Sequence, residues 1–233
     1  LPGSLPPEPT ILSPLNSAVD GCSLFHPVQS PDPTLRAFLF CAELRALTDI
    51  IFSMLHTAVN DLVWVDQYSA LQRMFSEIHK FPQIAVDTES NSLFAYQEKV
   101  CLLQTSTPFR DSLVYTLALT NLSILAPVFS NREQRKIFHA CEYDLICLKR
   151  DFHFEVNNIF DTMLAARILG KKLVGLGNLL QQYFEIELDK RYQRANWGMR
   201  PLSKEMRDYA RMDTHYLFIL EEAIETELIA AEL

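Results

Sequence analysis

Five residues of this 233-residue chain have types and spacings that could do chemistry together: Asp87, Glu89, Asp144, Tyr209 and Asp213. The first two lie in Ile84-Ala-Val-Asp-Thr-Glu89, an apolar run that begins just after Phe81-Pro82 and reads as a short buried strand. Side chains alternate across a strand, so Ala85, Asp87 and Glu89 share one face and Ile84, Val86 and Thr88 the other. Two carboxylates then project side by side from a sheet interior, where one unpaired charge is already costly and a second repels it. No Lys or Arg lies between Phe81 and Glu98 to neutralise them. A bound divalent cation would. Two exposed acids at a strand end before a turn would give the same letters.

The later acids occupy comparable positions. Met206, Ala210, Asp213, Leu217, Leu220, Ile224 and Leu228 step by three or four, which is the core stripe of an amphipathic helix. Asp213 therefore stands where an apolar residue is normally buried. Tyr209 is one turn below it on the same face, with Cβ atoms about 6 Å apart. A Tyr–Asp hydrogen bond, or an acid at the edge of the stripe, is the competing explanation. Asp144 falls in the first turn of a helix that follows the strand ending near His139. The helix dipole favours an acid there whatever the function, and Glu142 shares that explanation. Asp161 is accounted for as a helix N-cap.

These residues need a sheet and helices to bring them together. Strands are predicted at Asp61–Val65, Ile84–Glu89, Val100–Thr107, Leu113–Leu117, Arg135–Ala140 and Val156–Phe160. Helices are predicted at Ser69–Lys80, Leu122–Phe129, Tyr143–Phe152, Thr162–Leu169 (closed by Gly170), Leu176–Phe184 and a single long one from Ser203 to about Glu232. Three meandering strands followed by strand–helix alternation imply an α/β domain with a mixed sheet flanked by helices. The first 34 or so residues are proline-rich and read as an extended arm, followed by an amphipathic helix over Leu35–Val59.

Composition narrows the class further. With 48% hydrophobic residues the chain can build a real core, and no apolar run approaches the roughly 18 residues of a membrane span. Five cysteines form no C-x-x-C pair, which predicts a reducing, cytoplasmic setting and neither a disulfide framework nor a zinc ribbon. A net charge of −8 argues against non-specific coating of nucleic acid but not against a nuclease whose acids hold metal.

Three blocks, Val86-Asp-Thr-Glu-Ser-Asn-Ser-Leu93, His139-Ala-Cys-Glu-Tyr-Asp144-Leu and Tyr209-Ala-Arg-Met-Asp213, resemble the DEDD superfamily of 3′-5′ exonucleases. Their order and spacing resemble the ribonuclease D branch, as do Phe160-Asp-Thr-Met-Leu-Ala-Ala-Arg167 and Gln193-Arg-Ala-Asn-Trp-Gly-Met-Arg-Pro-Leu202. One superfamily type places a His five residues before the last acid, where this chain has Asp208. The other places a Tyr four before it, where this chain has Tyr209, so the resemblance is to the tyrosine (DEDDy) type. It implies a ribonuclease-H-like (DnaQ-like exonuclease) fold with a five-stranded mixed sheet and two-metal hydrolysis of phosphodiester bonds from a 3′ end, releasing 5′-mononucleotides. It further implies that Asp87 bridges two ions and that Glu89 and Asp213 complete the water-activating site. Asp144 would hold the second ion through water, and Tyr209 would orient the nucleophilic water. All-oxygen ligands favour Mg²⁺ or Mn²⁺ over zinc.

The same resemblance sets Leu93 against the terminal base and brings Ser92, Gln104 and His139 within reach of sugar or phosphate. A buried strand-end role for His139 is the alternative. Residues 189–211 carry seven basic and three acidic side chains with Tyr192 and Trp197 interleaved. Arg194 and Trp197 there are candidates for a single-strand track, although Trp197 could equally anchor packing. Ribonuclease D carries helical HRDC modules after its nuclease domain, and none is expected in this sequence. That leaves residues 60–233 as the exonuclease domain and 1–59 as an arm and helix. The expected partner is a single-stranded RNA 3′ end. DNA is the second reading, and a non-catalytic nucleic-acid-binding protein is the third, opposed by the complete set of five catalytic residue types.

Overall fold

Proline at position 82 and the apolar, β-branched run after it start a strand in the middle of the sheet. In the computed structural model, which describes residues 61–119 and 121–233, that strand is β2 (Gln83–Ser90). Its neighbours in chain order are β1 (Asp61–Val65), β3 (Val100–Thr107), β4 (Arg110–Val114), β5 (Arg135–Phe138) and β6 (Ile159–Asp161). They form one sheet in the order β1-β4-β3-β2-β5-β6. β2, β3 and β4 form the antiparallel meander, while β1 joins β4, β5 joins β2 and β6 joins β5 in parallel. The sheet therefore has six strands where the family resemblance implied five. The extra edge arises because Leu62, Val63 and Trp64 give β1 enough β-forming side chains to pair with β4 along its whole length.

Helices cover both faces. They are α1 (Tyr68–Ile78), α2 (Ala126–Ser130), α3 (Glu142–Phe152), α4 (Thr162–Ile168), α5 (Leu176–Phe184), α6 (Lys204–His215) and α7 (Leu217–Ala230). Ile84 and Val86 point into a layer with Leu71, Phe129, Phe138 and Leu148. Ala85, on the opposite face, packs with Ile137, Leu179, Leu217 and Leu220. Beside that second layer, Leu102 and Leu113 lie under Trp197, Leu202 and Ala210. Each buried Leu, Ile or Phe contributes about 1.5–3 kcal/mol of transfer free energy, which lets the sheet carry a costly polar site at its centre.

Several boundaries differ from expectation for identifiable reasons. The single helix predicted from Ser203 is two, broken at Tyr216 (φ −93°, ψ 0°). α6 lies over β2, β3 and β4, whereas α7 packs on α4, α5 and β5, so the axis must turn between them. β4 begins at Arg110, not Leu113, because the Thr107 hydroxyl accepts from the Arg110 amide at 3.1 Å and closes a tight hairpin. β5 stops at Phe138 because Ala140 adopts the left-handed conformation (φ 62°). The predicted arm and the helix over Leu35–Val59 lie outside the described residues.

Candidate active site

On β2, Asp87 stands opposite Gln104 and Glu89 opposite Leu102 of β3. α6 crosses that face, and Asp87, Glu89 and Asp213 each offer a carboxylate oxygen within 4.8 Å of the others. The misplaced acid in the helical stripe thus meets the two acids of the strand. Asp144 stands at the first turn of α3, where its Oδ1 accepts from the Thr88 hydroxyl at 2.5 Å. Thr88 lies between Asp87 and Glu89 and ties Asp144 to the same strand end.

Asp161 does more than cap. It accepts from the amides of Met163 and Leu164 in α4, and also from those of Ala140 and Cys141 at 3.0 and 2.9 Å. It therefore fixes the left-handed turn that launches α3 and sets the position of Asp144. Burial would raise its carboxyl, but bonds from the amides of Cys141, Ala140 and Leu164 and from the Cys141 thiol hold it below the usual range.

The electrostatics show what the acids lack. Burial, and then the charges of Asp144, Asp213 and Glu89, hold the Asp87 carboxyl well above its ordinary value. Glu89 is raised by burial and then by Asp213 and Asp144. Asp213 is pushed up to about 7 by burial and by Asp144. Asp144 reaches about 6, burial outweighing the bonds from Thr88. The Tyr209 phenol is raised too, by burial and then by Asp213, Glu89 and Asp87, so it stays protonated at any physiological pH. The charges that act most strongly on Asp87, Glu89 and Asp213 are those of one another and of Asp144, all negative. A group of hard oxygen donors that repel one another and face one small volume fits divalent cations of the Mg²⁺ or Mn²⁺ type.

Beside the acids is a cleft of about 350 Å³, lined by Asp87, His139, Lys190, Gln193, Tyr209 and Asp213 among others. Tyr209 is braced edge-on by Tyr192 at 5.8 Å and by Trp197 at 6.0 Å. The Arg200 guanidinium stacks over Tyr115 at 3.8 Å and donates to the carbonyls of Cys101 and Trp197, pinning the 197–200 segment to β3.

The predicted substrate contacts divide. Ser92 and Leu93 lie in the exposed turn after β2, with Leu93 68% exposed, open to a ligand. Arg194 is exposed as well. His139 lines the cleft, and its Nδ1 lies 2.8 Å from the Thr162 hydroxyl, which is also within hydrogen-bond distance of the Phe138 carbonyl. Burial depresses the imidazole to about 4, so it is neutral. Two of the expected contacts sit elsewhere. Gln104 is buried, and its Nε2 donates to Asp87 Oδ2 at 3.2 Å, so it serves the acid and does not face the cleft. Trp197 is 2% exposed and packs in the core against Tyr209, which makes it the packing anchor and not a stacking surface. Lys190 and Gln193 carry no distinguishing mark in the sequence, because one basic run gives no sign of which members turn inward.

A mixed sheet with this order, carrying four acids and a tyrosine at its centre, defines a DEDD-type nuclease domain on a ribonuclease-H-like fold. Residues 62–229 match the family model described as 3′-5′ exonuclease, and the chain belongs to that family as a ribonuclease D-like member. Protein RRP6-like 3 of Arabidopsis thaliana is 42% identical over 167 residues, 71% of this chain and 19% of that protein. Exosome complex exonuclease RRP6 of Saccharomyces cerevisiae is 40% identical over 168 residues, 72% of this chain and 23% of that protein. The chain thus spans about a fifth of the length of these curated relatives. The catalytic core of RRP6 from Trypanosoma brucei superposes with a TM-score of 0.72 at 31% identity, covering 75% of this chain and 48% of that one. Escherichia coli RNase D gives 0.70 at 25% identity, over 74% and 46%.

Proposed function

We propose that this domain is a metal-dependent 3′-5′ exoribonuclease that removes 5′-mononucleotides from the 3′ end of single-stranded RNA. The observation that carries the reading is the convergence of Asp87, Glu89 and Asp213 on one point, with all three carboxyls raised by burial and mutual repulsion. RNA as the substrate is supported by the relatives, one named an exosome complex exonuclease and one described as an exoribonuclease involved in structured RNA processing. A reducing intracellular setting is proposed from the sequence, whose five cysteines form no C-x-x-C pair.

Asp87, Glu89 and Asp213 would hold one divalent ion, and Asp144 with Asp87 a second. When bound, such ions supply the positive charge that stabilises attacking and leaving oxygens in an in-line displacement. The remaining work belongs to the chain. Gln104 fixes the Asp87 carboxylate and Thr88 fixes Asp144. Tyr209, kept protonated and braced by Tyr192 and Trp197, donates a hydrogen bond that orients the attacking water; a phenol so hard to ionise is a poor base. Leu93 offers an apolar surface to the terminal base, Ser92, His139 and Lys190 face its sugar and phosphate, and Arg194 follows the strand.

Single-stranded RNA labelled at its 5′ end should shorten stepwise with Mg²⁺ or Mn²⁺ and survive in EDTA. Internal cuts would overturn the exonuclease reading, and faster digestion of a matched DNA oligonucleotide would move the substrate to DNA. Tyr209→Phe should slow single-turnover cleavage by about 10²-fold, the usual cost of one hydrogen-bond donor to a developing charge. Calorimetric Mn²⁺ affinity should be unchanged in that variant. An unaltered rate would remove Tyr209 from the mechanism.

A further inference from the structure

A second buried polar cluster lies on the same sheet face, one step from the acids. Gln104 and Ser106 are two residues apart on β3 and so share a face, about 7 Å apart along the strand. Gln104 pairs with Asp87, and Ser106 pairs with Asp111 of β4. Asp111 is 1% exposed and bonded on both oxygens. Its Oδ1 accepts from the Ser106 hydroxyl at 2.7 Å. Its Oδ2 accepts from Arg211 Nε at 3.0 Å, Arg211 Nη2 at 2.8 Å and His215 Nδ1 at 2.9 Å. Ser106 Oγ also lies 2.7 Å from the Thr214 hydroxyl. Arg211, Thr214 and His215 all belong to α6, the helix that carries Tyr209 and Asp213, and Thr214 is the residue after Asp213.

That placement answers a mechanical question. α6 brings Asp213 against Asp87 and Glu89, and without a cation those charges push the helix off the sheet. The apolar contact of α6 with the sheet there is made by Ala210 over Leu102 and Leu113, with the partly buried Met206 and Tyr209 packed against the same cluster. An ion pair in which two guanidinium nitrogens converge on one carboxylate oxygen, with Asp111 buried on the same face, is directional and opposes that push. The bonds from His215, Ser106 and Arg211 hold the Asp111 carboxyl below its usual range in spite of burial, so it is ionised when α6 docks.

We propose that Asp111 is a positioning residue: through Arg211, His215 and the Ser106–Thr214 contact it clamps α6 so that Asp213 and Tyr209 face Asp87 and Glu89 before a cation arrives. The inference rests on the metal-binding reading above. Its test uses Asp111→Asn, Asp213→Asn and the double variant, with Mn²⁺ titration by calorimetry and thermal unfolding in EDTA. Asp111→Asn should bind Mn²⁺ about tenfold more weakly, as when the supports of metal ligands are removed elsewhere, and excess Mn²⁺ should recover part of the lost RNA cleavage. In EDTA, Asp213→Asn should raise the melting temperature of the otherwise native protein. That gain should shrink in the Asp111→Asn background, where α6 has already moved away. A folded Asp111→Asn with native Mn²⁺ affinity, or strictly additive melting shifts, would overturn the clamp. If Asp111→Asn does not fold, Ser106→Ala, which removes one bond to the carboxylate, should weaken Mn²⁺ binding about threefold, and native affinity there rejects the proposal. Failure of the native protein to bind Mn²⁺ would instead overturn the nuclease reading.

Discussion

Replacing Asp87 with Asn should cut phosphodiester hydrolysis by at least about 10³-fold while raising the melting temperature of the metal-free protein. Both effects come from one oxygen's charge. Asp87 stands at the centre of the cluster, with Asp144, Asp213 and Glu89 all acting to raise its carboxyl. It is the group best placed to share bound ions, whose electrostatic contribution to phosphoryl transfer is several kcal/mol, and each tenfold in rate requires about 1.4 kcal/mol. Asn keeps the shape and can still accept from Gln104 Nε2. What it loses is the negative charge that repels three neighbours, so the metal-free fold gains. A gain of about 1–2 kcal/mol corresponds to a rise of roughly 2–8 °C for a domain of this size. The check is differential scanning calorimetry in EDTA beside a single-turnover assay in Mg²⁺. Mg²⁺ should raise the melting temperature of the native protein and not that of the variant. A variant that cleaves RNA at the native rate, or that melts lower in EDTA with its fold intact, would contradict the assignment of Asp87.

How much of the site is legible in the sequence depends on the period of each element. The strand acids are readable because the β period of two is rigid: once Ile84 and Val86 are inward on one side, Asp87 and Glu89 must share the other. Asp213 is readable for the same reason at period 3.6, since an acid interrupts an otherwise apolar stripe. Asp144 carries no such signal, because an acid in a first helical turn is common; its role emerges from the Thr88 bond across 56 residues of sequence. The break at Tyr216 is invisible because 203–232 has no Gly or Pro, and every local preference is helical. It is imposed from outside, by Asp111 and Ser106 gripping α6 on one side and by Leu179 and Ala166 receiving α7 on the other. The resemblance offers Gln104 as a substrate contact, and the sequence leaves Trp197 open between a strand contact and a packing anchor. Their burial depends on partners, Asp87 and Tyr209, that only the folded chain supplies.

The metal-free domain should lose stability as pH rises from about 6.5 to 7.5, and divalent cations should reverse that trend. Asp213 is raised from 3.8 to about 7 and Asp144 to about 6, with Asp87 and Glu89 raised as well. Between the unfolded value near 4 and these folded values, the native state holds protons that the unfolded chain has already released. Stability therefore falls with rising pH across that window, and the contribution is gone once pH passes the folded values. His139 has the opposite sign. Its imidazole is lowered from 6.5 to about 4, so the unfolded chain binds the extra proton between those values and stability rises with pH there. The two trends offset most strongly below about pH 6.5, and the opposing contribution of His139 fades above it. At about 1.4 kcal/mol for each tenfold change in proton affinity, Asp213 alone accounts for a loss of at most about 0.7 kcal/mol over that interval, less because the carboxylates open onto a cleft. Cations compete with protons for the same oxygens, so their stabilisation should grow over the same interval. Melting curves in EDTA and in Mn²⁺ should separate progressively above pH 6.5, and Asp213→Asn should flatten the EDTA curve. Parallel curves would mean that the acids do not share an ion.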